Sequence, residues 1–149
     1  MTDQSDLGFQ NYDLIQQIFL LGDDLDRRQL LAFGLSVSRF NLLRHLEKHG
    51  RLTATDLCQL LLCDKANVTR LLDGLEREDL VRRTPDDSDG RRTYVTLTLA
   101  GETHLKEAND AYQASVLNRF IGLSSQEKLT LNELLSLLIT AFGERLGNS

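Results

Sequence analysis

The 149-residue sequence predicts a mainly α, α+β fold: six helices and a small sheet of two to three strands. Three observations carry this reading. Apolar residues recur at helical spacing along most of the chain. Near its middle, two short helical segments lie a few residues apart, and the second opens at a fresh capping residue. Directly afterwards the apolar period shortens to two, around a stretch dense in turn formers. A helix-turn-helix followed by a β-hairpin is a winged helix, here set between long terminal helices.

The first long helix is expected from about Asn11 to Phe33, with Leu14, Ile15, Ile18, Leu21, Leu25 and Leu31 at helical spacing and Gly34 as its C-terminal cap. Ser36 opens a second helix whose apolar face is Phe40, Leu42, Leu43 and Leu46, and Gly50 stops it. Thr53 with Asp56 is a capping-box-like start for a short third helix carrying Leu57, Leu60, Leu61 and Leu62. Asp64 caps the fourth, Lys65 to about Glu78, with Val68, Leu71, Leu72 and Leu75 in one stripe. Val81–Thr84 and Thr93–Leu97 read as strands, and Pro85 to Gly90 as the polar tip between them. Thr98 caps a fifth helix, Leu99 to about Ile121, and Ser124 with Glu127 is a capping box for the sixth.

That last helix carries Leu129, Leu131, Leu134, Leu135, Leu137, Leu138, Ile139, Ala141, Phe142 and Leu146, too many for one stripe. A domain this small cannot enclose it near the C-terminus, so terminal helices of two chains are expected to pack together. The alternative is burial against the first helix of the same chain. Dimerisation helices are therefore expected at 1–34 and 122–149, a winged helix-turn-helix at 35–98 and a connecting helix at 99–121.

Composition sets limits. Apolar residues at 41% suffice for one core, while Pro 1 and Gly 10 exclude collagen-like chains and linkers. No apolar run reaches the roughly 18 residues of a membrane span. The acidic, polar first residues do not read as a secretory signal, and two cysteines form no disulfide framework, so a cytoplasmic protein is expected. Net charge is −5, distributed as −4 over 1–31, +1 over 32–64, 0 over 65–98 and −2 over 99–149. Any nucleic-acid surface must be local and lie in the middle of the chain.

The fourth helix supplies one. Its stripe faces the core, which leaves Ala66, Asn67, Arg70, Asp73, Gly74 and Arg77 on the opposite side, with Lys65 and Thr69 near its start. Asn can bond an adenine edge twice and Arg a guanine edge, and small Ala66 can touch a thymine methyl. The helix start offers free N–H groups to a phosphate. On the hairpin, Arg82, Arg83, Arg91 and Arg92 stand among Asp86, Asp87 and Asp89. Asp89 is expected to pair with the Arg91 guanidinium and hold it extended toward a narrow minor groove. An ordinary solvated face and a salt-bridged loop are the alternatives.

The run Val68-Thr-Arg-Leu-Leu-Asp-Gly-Leu-Glu-Arg-Glu-Asp-Leu-Val-Arg-Arg83, followed by Asp89-Gly-Arg-Arg-Thr-Tyr-Val-Thr-Leu-Thr-Leu-Ala-Gly101, resembles the MarR family of bacterial transcription regulators. The resemblance implies a homodimer on operator DNA, usually a repressor released by a small aromatic effector, and no cofactor. It matches Arg91 to the family's wing arginine and Asp89 to its supporting carboxylate. It places Asn67, Thr69 and Arg70 on the contacting turn. The sequence departs from the family at Cys63-Asp-Lys-Ala-Asn67, where Ser, Thr or Pro is frequent, and at Gly74, where a longer residue is usual. Phe19, Phe40, His45 and Tyr112 are the candidate effector walls.

Three other readings stand beside this one. Cys58 and Cys63 could sense oxidants, although on one continuous helix they would point apart. His45 and His49, four apart, could hold a metal with His104 or Glu47, although a solvent-facing pair is the simpler reading and no metal is expected. The domain could also be a protein-interaction module without DNA. No phosphate loop, carboxylate pair or nucleophile–base set points to an enzyme.

Overall fold

The computed structural model describes residues 4–147. Its elements are α1 (Gln4–Leu31), α2 (Val37–His49), β1 (Arg51–Thr53), α3 (Ala54–Leu61), α4 (Lys65–Arg77), β2 (Val81–Pro85), β3 (Thr93–Leu97), α5 (Leu99–Arg119) and α6 (Ser125–Gly147). The chain divides into two compact units, 1–112 and 113–149, and the division falls inside α5.

The capping residues perform as their chemistry dictates. Ser36 accepts from the Arg39 backbone N–H at 3.2 Å. Thr53 and Asp56 exchange both bonds of a capping box, at 3.1 and 2.8 Å. Asp64 accepts from Asn67 N–H at 2.8 Å. Gly50 closes α2 at φ +78, donating to the Leu46 carbonyl at 2.8 Å. Ser124 and Glu127 exchange both bonds at the start of α6.

In the first unit, Phe40, Leu42, Leu43 and Leu46 of α2 form the centre of the core. Against them lie Leu57, Val68, Leu72, Leu75, Val81, Val95 and Leu105, all nearly without exposure. The sheet is antiparallel in the order β1-β3-β2. Leu52 pairs with Val95 on one side of β3, and Arg83 pairs with Val95 on the other.

The end of α4 is pinned to the start of α5. Asp79 stands at φ +56, and its carbonyl accepts a short bond from the Thr98 hydroxyl. That same hydroxyl accepts from Gly101 N–H at 2.9 Å. A Cβ at position 101 would lie 2.0 Å from the Leu80 carbonyl oxygen, so only glycine permits this approach.

Several expectations are corrected. α1 begins at Gln4 rather than near Asn11 and ends at Leu31, because residues 33–35 turn back onto its last carbonyls. The expected sheet of two to three strands has three, and only the place of β1 went unsignalled by its short, mixed sequence. In α3, Leu57 alone is buried, while Leu60 is exposed. Leu62 is outside the helix, left-handed at φ 51 and 92% exposed. The second unit holds the end of α5 and α6. No described residue of α6 is buried.

Candidate nucleic-acid interface

Two helix flanks and a hairpin build the surface. Asp64 starts α4, and its second carboxylate oxygen accepts from the Asn67 side-chain amide at 3.1 Å. The Asn67 carbonyl oxygen in turn accepts a short bond from Arg70. Thr69 donates its hydroxyl to the Lys65 carbonyl at 2.9 Å. Lys65, Ala66, Thr69, Arg70, Asp73 and Arg77 line an open depression of 530 Å³ along the outer face of α4.

The hairpin tip is tied by its own aspartates. Asp86 N–H donates to the Arg92 carbonyl at 2.8 Å, and Arg92 N–H donates to the Asp89 carbonyl at 2.9 Å. The Asp86 carboxylate accepts from Ser88 N–H and hydroxyl at 3.2 and 3.1 Å. These bonds, with smaller help from the Arg51 and Arg92 charges, hold its carboxyl below the usual carboxylate range. The Asp89 carboxylate accepts from the Arg91 backbone N–H at 3.1 Å. The expected pairing with the Arg91 guanidinium is therefore corrected: a carboxylate two residues back reaches the main chain first, as in an Asx turn. Arg91 and Arg92 reach a second cleft, of 630 Å³, where they meet Lys65, the α3 start and Tyr94.

Arg83 has another task than the one expected. Its guanidinium meets Asp73 at 2.7 Å and Glu76 at 3.1 Å, joining the wing to one flank of α4. Arg82, facing Thr96 across the ladder, stays exposed. Sequence reasoning missed Arg51, whose guanidinium lies 4.2 Å from the centre of the Tyr94 ring. Only the third strand, which brings Thr53 opposite Tyr94, would have revealed it.

The sequence pattern of the MarR family matches residues 33–92. The chain is 32% identical over 122 residues to YxaD, an uncharacterized HTH-type transcriptional regulator of Bacillus subtilis (strain 168), covering 79% of this chain and 82% of that one. It is also 32% identical over 97 residues to the HTH-type transcriptional repressor YetL of the same organism, covering 64% and 58%. The chain belongs to the MarR family. Its fold superposes on that of a mutant MarR from E. coli complexed with operator DNA with a TM-score of 0.78 at 23% identity, covering 92% and 99%. As a MarR-family member it is a transcriptional regulator and not an enzyme.

The other candidate residues sort differently in this MarR-family fold. Phe40 and Tyr112 come together at 4.9 Å between ring centres, with Arg44 over both at 5.5 and 5.7 Å. Phe40 is buried, and the Tyr112 hydroxyl reaches Asp26 at 3.4 Å. His45 instead stacks on His49 at 6.3 Å, and Phe19 is 67% exposed on α1. These four do not form one wall. His104 bonds the Phe33 carbonyl at 2.8 Å, so that nitrogen is not offered to a metal. Among the described residues, no group of three or more His, Cys, Asp or Glu could hold one. α3 ends before Cys63, whose N–H closes the turn on the Cys58 carbonyl at 3.2 Å. Burial pushes the Cys63 thiol up, which is the opposite of what a reactive thiolate needs. No helix among the described residues is long and apolar enough to cross a membrane.

Proposed function

We propose that this regulator is a repressor that binds a pseudo-palindromic operator as a homodimer and responds to a small ligand. The observation that carries the reading is the continuity of the basic surface. Lys65 lines both the α4 depression and the wing cleft, so Arg70, Arg77, Arg91 and Arg92 border one path, with Asp73 and Asp56 also on its walls. That path offers a duplex two fittings: a helix for the major groove and an arginine tip for the minor groove.

Lys65, Ala66, Asn67, Thr69 and Arg70 take the base and phosphate contacts in this reading. Arg82, Arg91 and Arg92 take the backbone and minor groove, with Asp89 shaping the tip and Arg83 bracing it. The exposed leucines of α1 and α6 are the surfaces a second copy covers. The likeness to a named repressor and to an operator-bound fold supports the same reading. Arg44 above the Phe40–Tyr112 pair offers a cation beside aromatic faces, which suits an aromatic carboxylate. Such a ligand acts only through its difference in affinity for two half-site spacings.

Selection of bound duplexes from random DNA tests the proposal. The expected product is a palindrome with half-site centres about one turn, or 34–36 Å, apart. A pool that enriches nothing at low salt would replace the reading with that of a protein-interaction module.

A further inference from the structure

Gly74 sits mid-helix in α4, where glycine costs roughly 1 kcal/mol relative to alanine. The structure shows what occupies the space. A Cβ at Gly74 would find Arg39 Nη2 at 3.9 Å, in ordinary contact, so alanine fits, whereas a longer side chain directed toward α2 would press on the guanidinium. Arg39 comes from the first turn of α2, and its side chain is only 18% exposed. Its Nη2 lies 2.7 Å from Glu78 Oε1 at the C-cap of α4, and its Nη1 reaches back to the Gly34 carbonyl at 3.5 Å. Its Nε is buried without a hydrogen-bond partner, a desolvation cost that the arrangement sustains.

These contacts have a counterpart. Gly74 and Glu78, four residues apart, share one flank of α4, while Asp73 and Glu76, three apart, share the other. The second flank is held by Arg83 from the wing. The outer face, with Ala66, Arg70 and Arg77, stands between two arginines that reach in from different elements.

We propose that Arg39, seated on Gly74 and paired with Glu78, is a positioning residue that fixes the roll of the recognition helix without touching DNA. The inference rests on the DNA-binding reading above. A brace of this kind acts on the geometry of base contacts, whereas a phosphate contact acts on every sequence alike.

Arg39→Ala and Gly74→Leu test it, the second by filling the seat while leaving the arginine in place. Both should weaken binding to the selected operator by on the order of tenfold, with binding to random duplex and the slope of log K against log salt unchanged. Gly74→Ala should bind as the parent does. In the free protein, amides 74–78 should exchange faster in both variants. A salt slope lowered by about one would make Arg39 a phosphate contact and overturn the proposal. So would parental operator affinity, or parental exchange at 74–78, in both variants. A parent chain that bound no duplex would overturn the DNA-binding reading itself, which the exchange measurement does not depend on.

Discussion

Arg91 is exposed at the hairpin tip, where Asp89 bonds the Arg91 backbone N–H and Asp86 bonds Ser88, and in the reading proposed above it is the wing's minor-groove contact. Arg91→Ala should therefore weaken binding to all duplexes, most at A·T-rich flanks, and lower the salt slope by about one in a titration. Unaltered affinity at both low and high salt would refute the wing assignment. Asn67→Ala or Arg70→Ala should instead cost about 1–3 kcal/mol and relax preference at one position per half-site, read by repeating the selection. A further residue bears on pH. Burial first, then the charges of His49, Lys48 and Arg44, lowers the His45 pKa from 6.5. The folded ring holds its proton less tightly than the unfolded chain does, so stability is full above 6.5 and is lost as pH falls from there through the lower folded value. His45→Gln should flatten that loss in thermal melts taken between pH 7.5 and about 5.

At the scale of elements, the join between α4 and α5 sets α4 on its lobe. Gly101→Ala forces a Cβ into the Leu80 carbonyl and should destabilise the fold by about 2–3 kcal/mol in a denaturant titration, with operator affinity falling alongside. The parts of this architecture that depend on local chemistry were legible in the sequence. Caps at Ser36, Thr53, Asp64 and Thr98 depend on a side chain and a backbone a few residues apart. The stripe of α4 and the period-two strands likewise need no distant partner. What escaped reading depends on pairings across the chain. β1 is a strand only because β3 lies beside it, and Arg83 turns to α4 because Asp73 and Glu76 are within reach. Phe19, at helical spacing with its neighbours, is exposed on α1 for want of any partner the sequence could name. The start of α1 was missed because Ser5, Asp6 and Gly8 carry weak helix propensity.

For the whole molecule, the exposed apolar residues bear on the homodimer proposed above. Leu134, Leu137, Ile139 and Leu146 of α6 are 55–80% exposed, far more than a chain at rest in water leaves open along one helix. Leu138→Arg should halve the mass seen by light scattering and abolish operator binding, since one lobe alone spans one half-site. In the homodimer proposed above, a net charge of −5 per chain becomes −10, which confines attraction to DNA to the arginine path. The mutual bond between Asn67 and Arg70 has a consequence at this scale. In the DNA-binding reading proposed above, these two side chains stay paired with each other while the protein travels along sequence that does not match. Only a matching edge offers enough to draw them apart, so discrimination should appear in how long the protein lingers rather than in how often it arrives.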